Sequence, residues 1–173
     1  LQMLARRWEQ RPIFYGVAAG LLFGAVGVAG MMMPLRFAPG VIYDGRSIVL
    51  SLAGLFGGIV PACVSGAMCI AYRVHLGGGG VVPGVGTIIE AAALGVALRY
   101  LRQRDPRWVS PLRLWVAGIL IHVIMLLLQL LLPASAGWQV LRRIGPTVLL
   151  LYPLAFLLVA QVFFEGERRR KAE

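Results

Sequence analysis

Lysine occurs once in this chain of 173 residues, acidic side chains seven times and histidine twice. Only 14% of the residues are charged and 59% are hydrophobic, whereas a soluble domain carries about a quarter charged and about half apolar. That shortage of charge excludes a water-soluble globule, and the mean hydropathy of +0.81 agrees. Cysteine is also scarce. Cys63 and Cys69 lie six apart in one apolar stretch, roughly 9 Å along a helix, which is too far for a disulfide and matches no metal-ligand spacing. They read as small core residues. Carboxylates do not cluster, no HExxH occurs and no nucleophile–base spacing is present, so no catalytic residue, metal or cofactor is expected. Gly77–Gly80 neither follows a strand nor opens onto a P-loop lysine, which removes phosphate-loop chemistry. The strand-like alternation of an outer-membrane barrel is missing as well, so the membrane class is helical.

What is present is arginine and long apolar runs. The net charge of +10 comes almost wholly from arginines placed where apolar runs end, which is the pattern of a topology signal and not of a nucleic-acid partner. Five apolar stretches stand out: Ile13–Leu35, Ser47–Tyr72, Val81–Leu101, Leu112–Leu132 and Pro146–Phe164. The basic, amphipathic lead-in LQMLARRWEQR (1–11) has no short apolar core of a cleavable signal, and a start at Leu leaves room for an upstream span.

The second stretch admits two readings. It is one tilted span, or Gly57-Gly58 and Pro61 break it into two short helices, Arg46–Phe56 and Pro61–Arg73. With the break, twelve basic residues fall inside and five outside; without it the split is eleven to six. Charge thus favours the hairpin narrowly, and two glycines with a nearby proline are turn material. The expected architecture is an all-α integral membrane bundle of about six helical segments, including a short-helix hairpin. Gly16, Gly20, Gly24 and Gly27 share one face of the first span and admit a close neighbour, expected within the chain rather than in a dimer mate. Pro153 is expected to kink the last span.

In the hairpin reading Asp44, Arg46, Arg73 and His75 converge on the outer membrane face. Two guanidiniums held close and shielded from water repel unless an anion bridges them, and their planar forks match a carboxylate or phosphate. Asp44 is placed to neutralise one and to compete with a ligand for Arg46. Glu90 lies roughly 10 Å into its span, where a carboxylate is costly and marks a functional site, with Thr87 one turn before it. His122 and Gln129, seven apart, share a face of the fourth long stretch and point inward. The plainer readings are that the arginines snorkel as interfacial anchors, that Glu90 pairs structurally with one of them, and that His122 is an interhelical hydrogen-bond partner. Met31-Met32-Met33 reads as packing at the outer end.

The run PGVIYDGRSIVLSLAGLFGG, followed by AYRVHLGGGG and PGVGTIIEAAALG, resembles the five-transmembrane receptor domain of LytS-YhcK type. The likeness is close from Gly24 to Leu101 and rests on hydropathy elsewhere. It implies a sensor at the N-terminus of bacterial signalling proteins that carry a cytoplasmic histidine kinase or diguanylate cyclase, in the inner membrane. It further implies an architecture similar to the substrate-binding subunits of energy-coupling-factor transporters, and a response to small carboxylates such as pyruvate in some kinase members. Paired arginines are implicated there, and they correspond to Arg46 and Arg73. The chain departs from the pattern where Ile59-Val60 precede Pro61, and in Glu90, which favours a ligand that also bears a hydrogen-bond donor.

The sequence therefore reads as a sensor domain over 12–165 with a signalling helix starting at 166–173. A small polar, carboxylate-bearing metabolite is expected to bridge Arg46 and Arg73, with Asp44, Tyr43, Thr87, Glu90, His122 and Gln129 lining the site. The lipid bilayer, a second copy of the chain and an attached output domain are the expected partners. The rivals are a transporter's solute-binding subunit and a purely structural anchor.

Overall fold

The computed structural model describes residues 12–33, 35–38, 41–132 and 136–172. The lead-in 1–11 lies outside them. Helix α1 (Pro12–Met32) is followed by a two-stranded antiparallel ribbon, β1 (Leu35–Ala38) and β2 (Val41–Tyr43), which the sequence reading did not anticipate. Helix α2 (Arg46–Leu52) passes into a π-helical turn over Ala53–Gly57. Then come α3 (Ile59–Leu76), α4 (Val81–Arg104), a 3-10 turn (Pro106–Val109), α5 (Pro111–Leu128) with a 3-10 extension to Leu131, and α6 (Ala136–Ala172). Five of the helices are long and apolar enough to cross a membrane; α2 with its π turn is not. The chain is an all-α, multi-pass membrane bundle.

The distribution of side chains has the polarity of a lipid-embedded protein. Large apolar groups such as Leu22, Leu150 and Val162 point outward, more than 65% exposed. Arg46, Ser47, Arg73, Thr87, His122 and Gln129 are buried. Lipid solvates the apolar exterior, and the interior collects what lipid does not tolerate.

The break in the second apolar stretch is real. Gly58 adopts φ +87°, a backbone conformation that residues with a Cβ rarely enter, and α3 begins at the next residue. Pro61, the third residue of α3, does not interrupt the helix. It stands in the first turn, where its missing N–H would have no helical acceptor in any case. The second limb is therefore Ile59–Leu76, longer than the expected Pro61–Arg73, and it qualifies as a span in its own right. Only α2, rising roughly 18 Å over Arg46–Gly57, stays short.

The glycine stripe of α1 faces α3 of the same chain. A Cβ at Gly16 would lie 3.0 Å from Val60, at Gly20 2.6 Å from Val64, at Gly24 2.5 Å from Met68 and at Gly27 2.6 Å from Cys69. A second close approach joins α2 to α4: a Cβ at Gly54 would lie 2.6 Å from the Val96 nitrogen, and one at Gly95 would collide with the Ser51 carbonyl. Met31, Leu50, Cys69, Ile88 and Ala91 form a buried cluster over these contacts. Cys63, read from sequence as core, is exposed, because six residues along α3 turn it about 120° away from the buried face of Cys69. Helix α6 starts ten residues before the expected Pro146 and continues through Pro146 and Pro153. Proline within a membrane helix is tolerated where neighbouring groups satisfy the freed carbonyl.

Candidate ligand-binding site

The start of α2 and the end of α3 lie at the same end of the bundle, as a doubled-back chain requires. There the sequence DGRS folds locally. Asp44 Oδ1 accepts from the Arg46 backbone N–H at 2.9 Å, which caps the first turn of α2, and Oδ2 receives the Arg46 guanidinium at 2.7 Å. Both side chains are nearly sealed, at 3% and 8% exposure. Arg73 is more deeply buried, at 1%. Its Nη1 donates to the Gly77 carbonyl at 2.9 Å, across the glycine turn that ends α3. A Cβ at Gly84 of α4 would lie 2.6 Å from Arg73 Nε, so α4 presents a notch in which the guanidinium stem rests.

Asp44 is the hub of the charge pattern. Burial raises its carboxyl above the ordinary value, while the Arg46 charge, the hydrogen bonds from Arg46 and the Arg73 charge all pull it down. Both cations thus act on one carboxylate. The carboxylate facing Arg46 is that of Asp44, and not that of Glu90 as the plainer reading had it.

Two further elements close the site. His122 of α5 is fully buried; Nδ1 faces the Gly118 carbonyl at 2.7 Å and Nε2 faces Ser47 Oγ at 3.2 Å. Only a donor can satisfy a carbonyl, so in the neutral ring Nδ1 carries the proton and Nε2 accepts from Ser47. Tyr152 of α6 sets its ring edge-on to His122 at 5.2 Å, and its hydroxyl donates to the Asp44 carbonyl at 3.5 Å. A polar chain therefore links the start of α2 to α5 and to α6.

Ser47 and Tyr152 escaped the sequence reading. Ser47 directly follows Arg46 and opens the apolar stretch Ser47–Tyr72, so nothing in its sequence setting marks it as a site residue. Tyr152 precedes Pro153 and is the one polar side chain in the run Val148–Ala160, and that isolation is the available signal. Thr87 is buried but donates to its own helix at the Pro83 carbonyl, 2.9 Å away. Gln129 likewise donates to the Met125 carbonyl at 3.0 Å. Glu90 is set apart. Both its oxygens are buried without a hydrogen-bond partner, and among the described residues no hydrogen bond or ion pair joins it to Arg46 or Arg73. Gly86, one turn earlier on its face, abuts Leu128, so Glu90 is turned toward α5. His75 is exposed, unlike the buried Arg46 and Arg73, and lies near Tyr72, with ring centroids 6.3 Å apart. The side chain of Tyr43 lies outside the described residues.

The opposite end of the hairpin is held by arginine as well. Arg99 Nη1 donates to the Phe56 carbonyl at 2.6 Å, satisfying an acceptor that the break at Gly58 leaves open. Phe56 packs on Phe163 and Phe164 of α6 at 4.9 and 4.7 Å. The Arg102 guanidinium pairs with Glu167 and lies 4.6 Å over the Phe164 ring.

A bundle of five spans and one short helix, with buried arginines beside the short helix, defines a class of membrane receptor. The model of that family, described as 5TMR of 5TMR-LYT, matches residues 2–164. The chain belongs to the 5TMR-LYT five-transmembrane receptor family, whose members are membrane sensor domains of signalling proteins. No curated protein and no solved structure gave a match.

Proposed function

We propose that this domain binds a small carboxylate at Arg46 and Arg73 and passes occupancy to a cytoplasmic output domain through α6. The observation that carries the reading is a buried carboxylate, Asp44, ion-paired with buried Arg46 and within the electrostatic reach of buried Arg73. An incoming carboxylate has the same chemistry as the Asp44 side chain and competes with it for Arg46, while Arg73 supplies a second positive charge. The exchange costs little desolvation beyond that of the ligand, because the guanidiniums are already out of water.

Transmission follows from the contacts of α2. Its first residues reach α5 and α6 through Ser47, His122 and Tyr152, and its last reach α6 through Phe56. A ligand that loosens Asp44 from Arg46 acts on both ends of a short rigid helix leaning on the exit helix. To switch the receptor it must bind one packing of α2 against α6 more tightly than another. The output is a histidine kinase or diguanylate cyclase in the same chain, and the working unit is a homodimer in the inner membrane.

The test is thermal unfolding of the protein in nanodiscs against a panel of two- to four-carbon carboxylates. A selective rise in Tm that is lost in Arg73→Lys and Arg46→Gln is expected; Lys keeps the charge but not the fork. A rise of equal size in both variants would move the site elsewhere, and no selective rise for any carboxylate would leave the anchor reading in place.

A further inference from the structure

The arginine-rich end of the bundle holds a second concave region that the sensor reading does not use. A cavity of about 460 Å³ is lined by Phe56, Arg99, Arg102, Gln103, Glu167 and Arg170. Three guanidiniums face one carboxylate there, so the cavity is electropositive even with Arg102 paired to Glu167. Next to it runs a furrow of about 260 Å³ that shares Arg99 and Gln103 and continues along Gly57, Ile59, Val60 and Val96. Glycine and aliphatic side chains make most of the furrow's lining, while Arg99 and Gln103, shared with the chamber, and Tyr100 supply its polar part; it opens where Ile59 is 60% exposed and Tyr100 57%. A charged chamber joined to a mainly apolar channel, at the level where spans leave the membrane, has the shape of an amphiphile.

We propose that this groove binds a membrane phospholipid with an anionic phosphodiester headgroup. The headgroup lies between Arg99, Arg102 and Arg170, and an acyl chain follows the furrow between α1 and α4. Basic clefts between membrane helices at the cytoplasmic surface are suited to such headgroups, and the planar guanidinium forks match phosphate oxygens. The occupant is a lipid and not a soluble anion because the furrow offers the apolar half of the site. The location gives binding a consequence. A phosphate in the chamber competes with Glu167 for Arg102, and Arg102 is what fastens α4 to the exit helix beside Phe164. Anionic lipid would thus loosen or reset the α6 contact independently of the outer site.

The experiment is native mass spectrometry of the protein from micelles holding equal amounts of phosphatidylglycerol and phosphatidylcholine. Circular dichroism confirms the fold of each variant. Preferential retention of phosphatidylglycerol is expected, falling about five-fold in Arg170→Gln and again in Arg102→Gln/Arg170→Gln, with Arg113→Gln unchanged. Should the double variant fail to fold, Arg170→Gln decides alone, because Arg170 is exposed. Glycerol 3-phosphate should give no thermal protection at concentrations where phosphatidylglycerol does. Equal retention of the two lipids, retention unaltered in Arg170→Gln, or equal protection by glycerol 3-phosphate would each overturn the proposal.

Discussion

Asp44 holds Arg46 twice, by Oδ1 on the backbone N–H at 2.9 Å and by Oδ2 on the guanidinium at 2.7 Å. The first bond builds the helix start; the second occupies the cation. Substituting Asp44→Asn keeps an acceptor for the backbone N–H and removes the counter-charge. Burial already favours the neutral form of this side chain in the folded protein, so the ligand-free variant should keep most of its stability. The same variant should gain more from an added carboxylate than the wild type, since no internal competitor remains. Thermal unfolding with and without ligand reads both effects, and a folded variant no more responsive than the wild type would show that Asp44 does not compete.

The pH dependence of binding has a fixed sign. Burial holds the folded Asp44 carboxyl above its ordinary value, so the proton is bound more tightly in the folded, ligand-free protein than in the unfolded chain. Ionisation of Asp44 therefore opposes folding. This contribution is absent below the unfolded pKa and grows as pH rises toward the folded one. Protonated Asp44 releases its charge-based hold on Arg46. Carboxylate affinity should consequently rise as pH falls through the folded pKa of Asp44, as long as the ligand stays ionised. Titration calorimetry across that window checks the slope, and Asp44→Asn should flatten it.

Gly84 and Arg73 make a test of position rather than charge. A Cβ at Gly84 would fall 2.6 Å from Arg73 Nε and 3.1 Å from Cδ. The arginine is buried and bonded to Gly77, so it has to shift to admit the methyl group. Gly84→Ala should cost about 1–3 kcal/mol of stability and weaken carboxylate binding at least ten-fold, with every ionisable group still present. Retention of wild-type affinity in a folded Gly84→Ala protein would mean that Arg73 does not contact the ligand.

How far the sequence disclosed this arrangement depends on the kind of signal. Arg46 and Arg73 were legible as neighbours because a glycine break between them reverses the chain, and Gly58 with its positive φ is that break. The stripe from Gly16 to Gly27 announced a close neighbour, which is α3. Glu90 was legible as an anomaly, but not its direction. A rotation of about 100° per residue separates the face of Ala91, packed in the buried cluster, from that of Glu90, turned to α5, and hydropathy in an almost wholly apolar helix does not fix rotation. Tyr152 was illegible because it is brought to Asp44 across 108 residues by the packing of α6. The ribbon at Leu35–Ala38 and Val41–Tyr43 was illegible because it lies between the stretch ending at Leu35 and the one starting at Ser47, in segments of four and three residues too short to show strand alternation.

The close approach of α2 to α4 gives the last prediction, and it separates crowding from mere glycine loss. Gly95 and Gly45 are both near the short helix, yet they differ in surroundings. A Cβ at Gly95 would run into the Ser51 carbonyl, with backbone on both sides and nothing flexible to move. At Gly45 no atom lies within 4 Å, and the backbone sits at φ −83°, which any residue adopts. Gly95→Ala must therefore push α2 away from α4, opening the cluster of Leu50, Ile88 and Ala91, and should cost on the order of 3 kcal/mol or more. Gly45→Ala should be neutral or slightly stabilising, because it restricts only the unfolded chain. Since Arg46 and Ser47 ride on α2, the first variant should also lose carboxylate response while the second keeps it. Paired thermal unfolding curves of the two variants in nanodiscs, with and without ligand, check the contrast, and equal behaviour of the two would show that the α2–α4 contact does not set the position of Arg46.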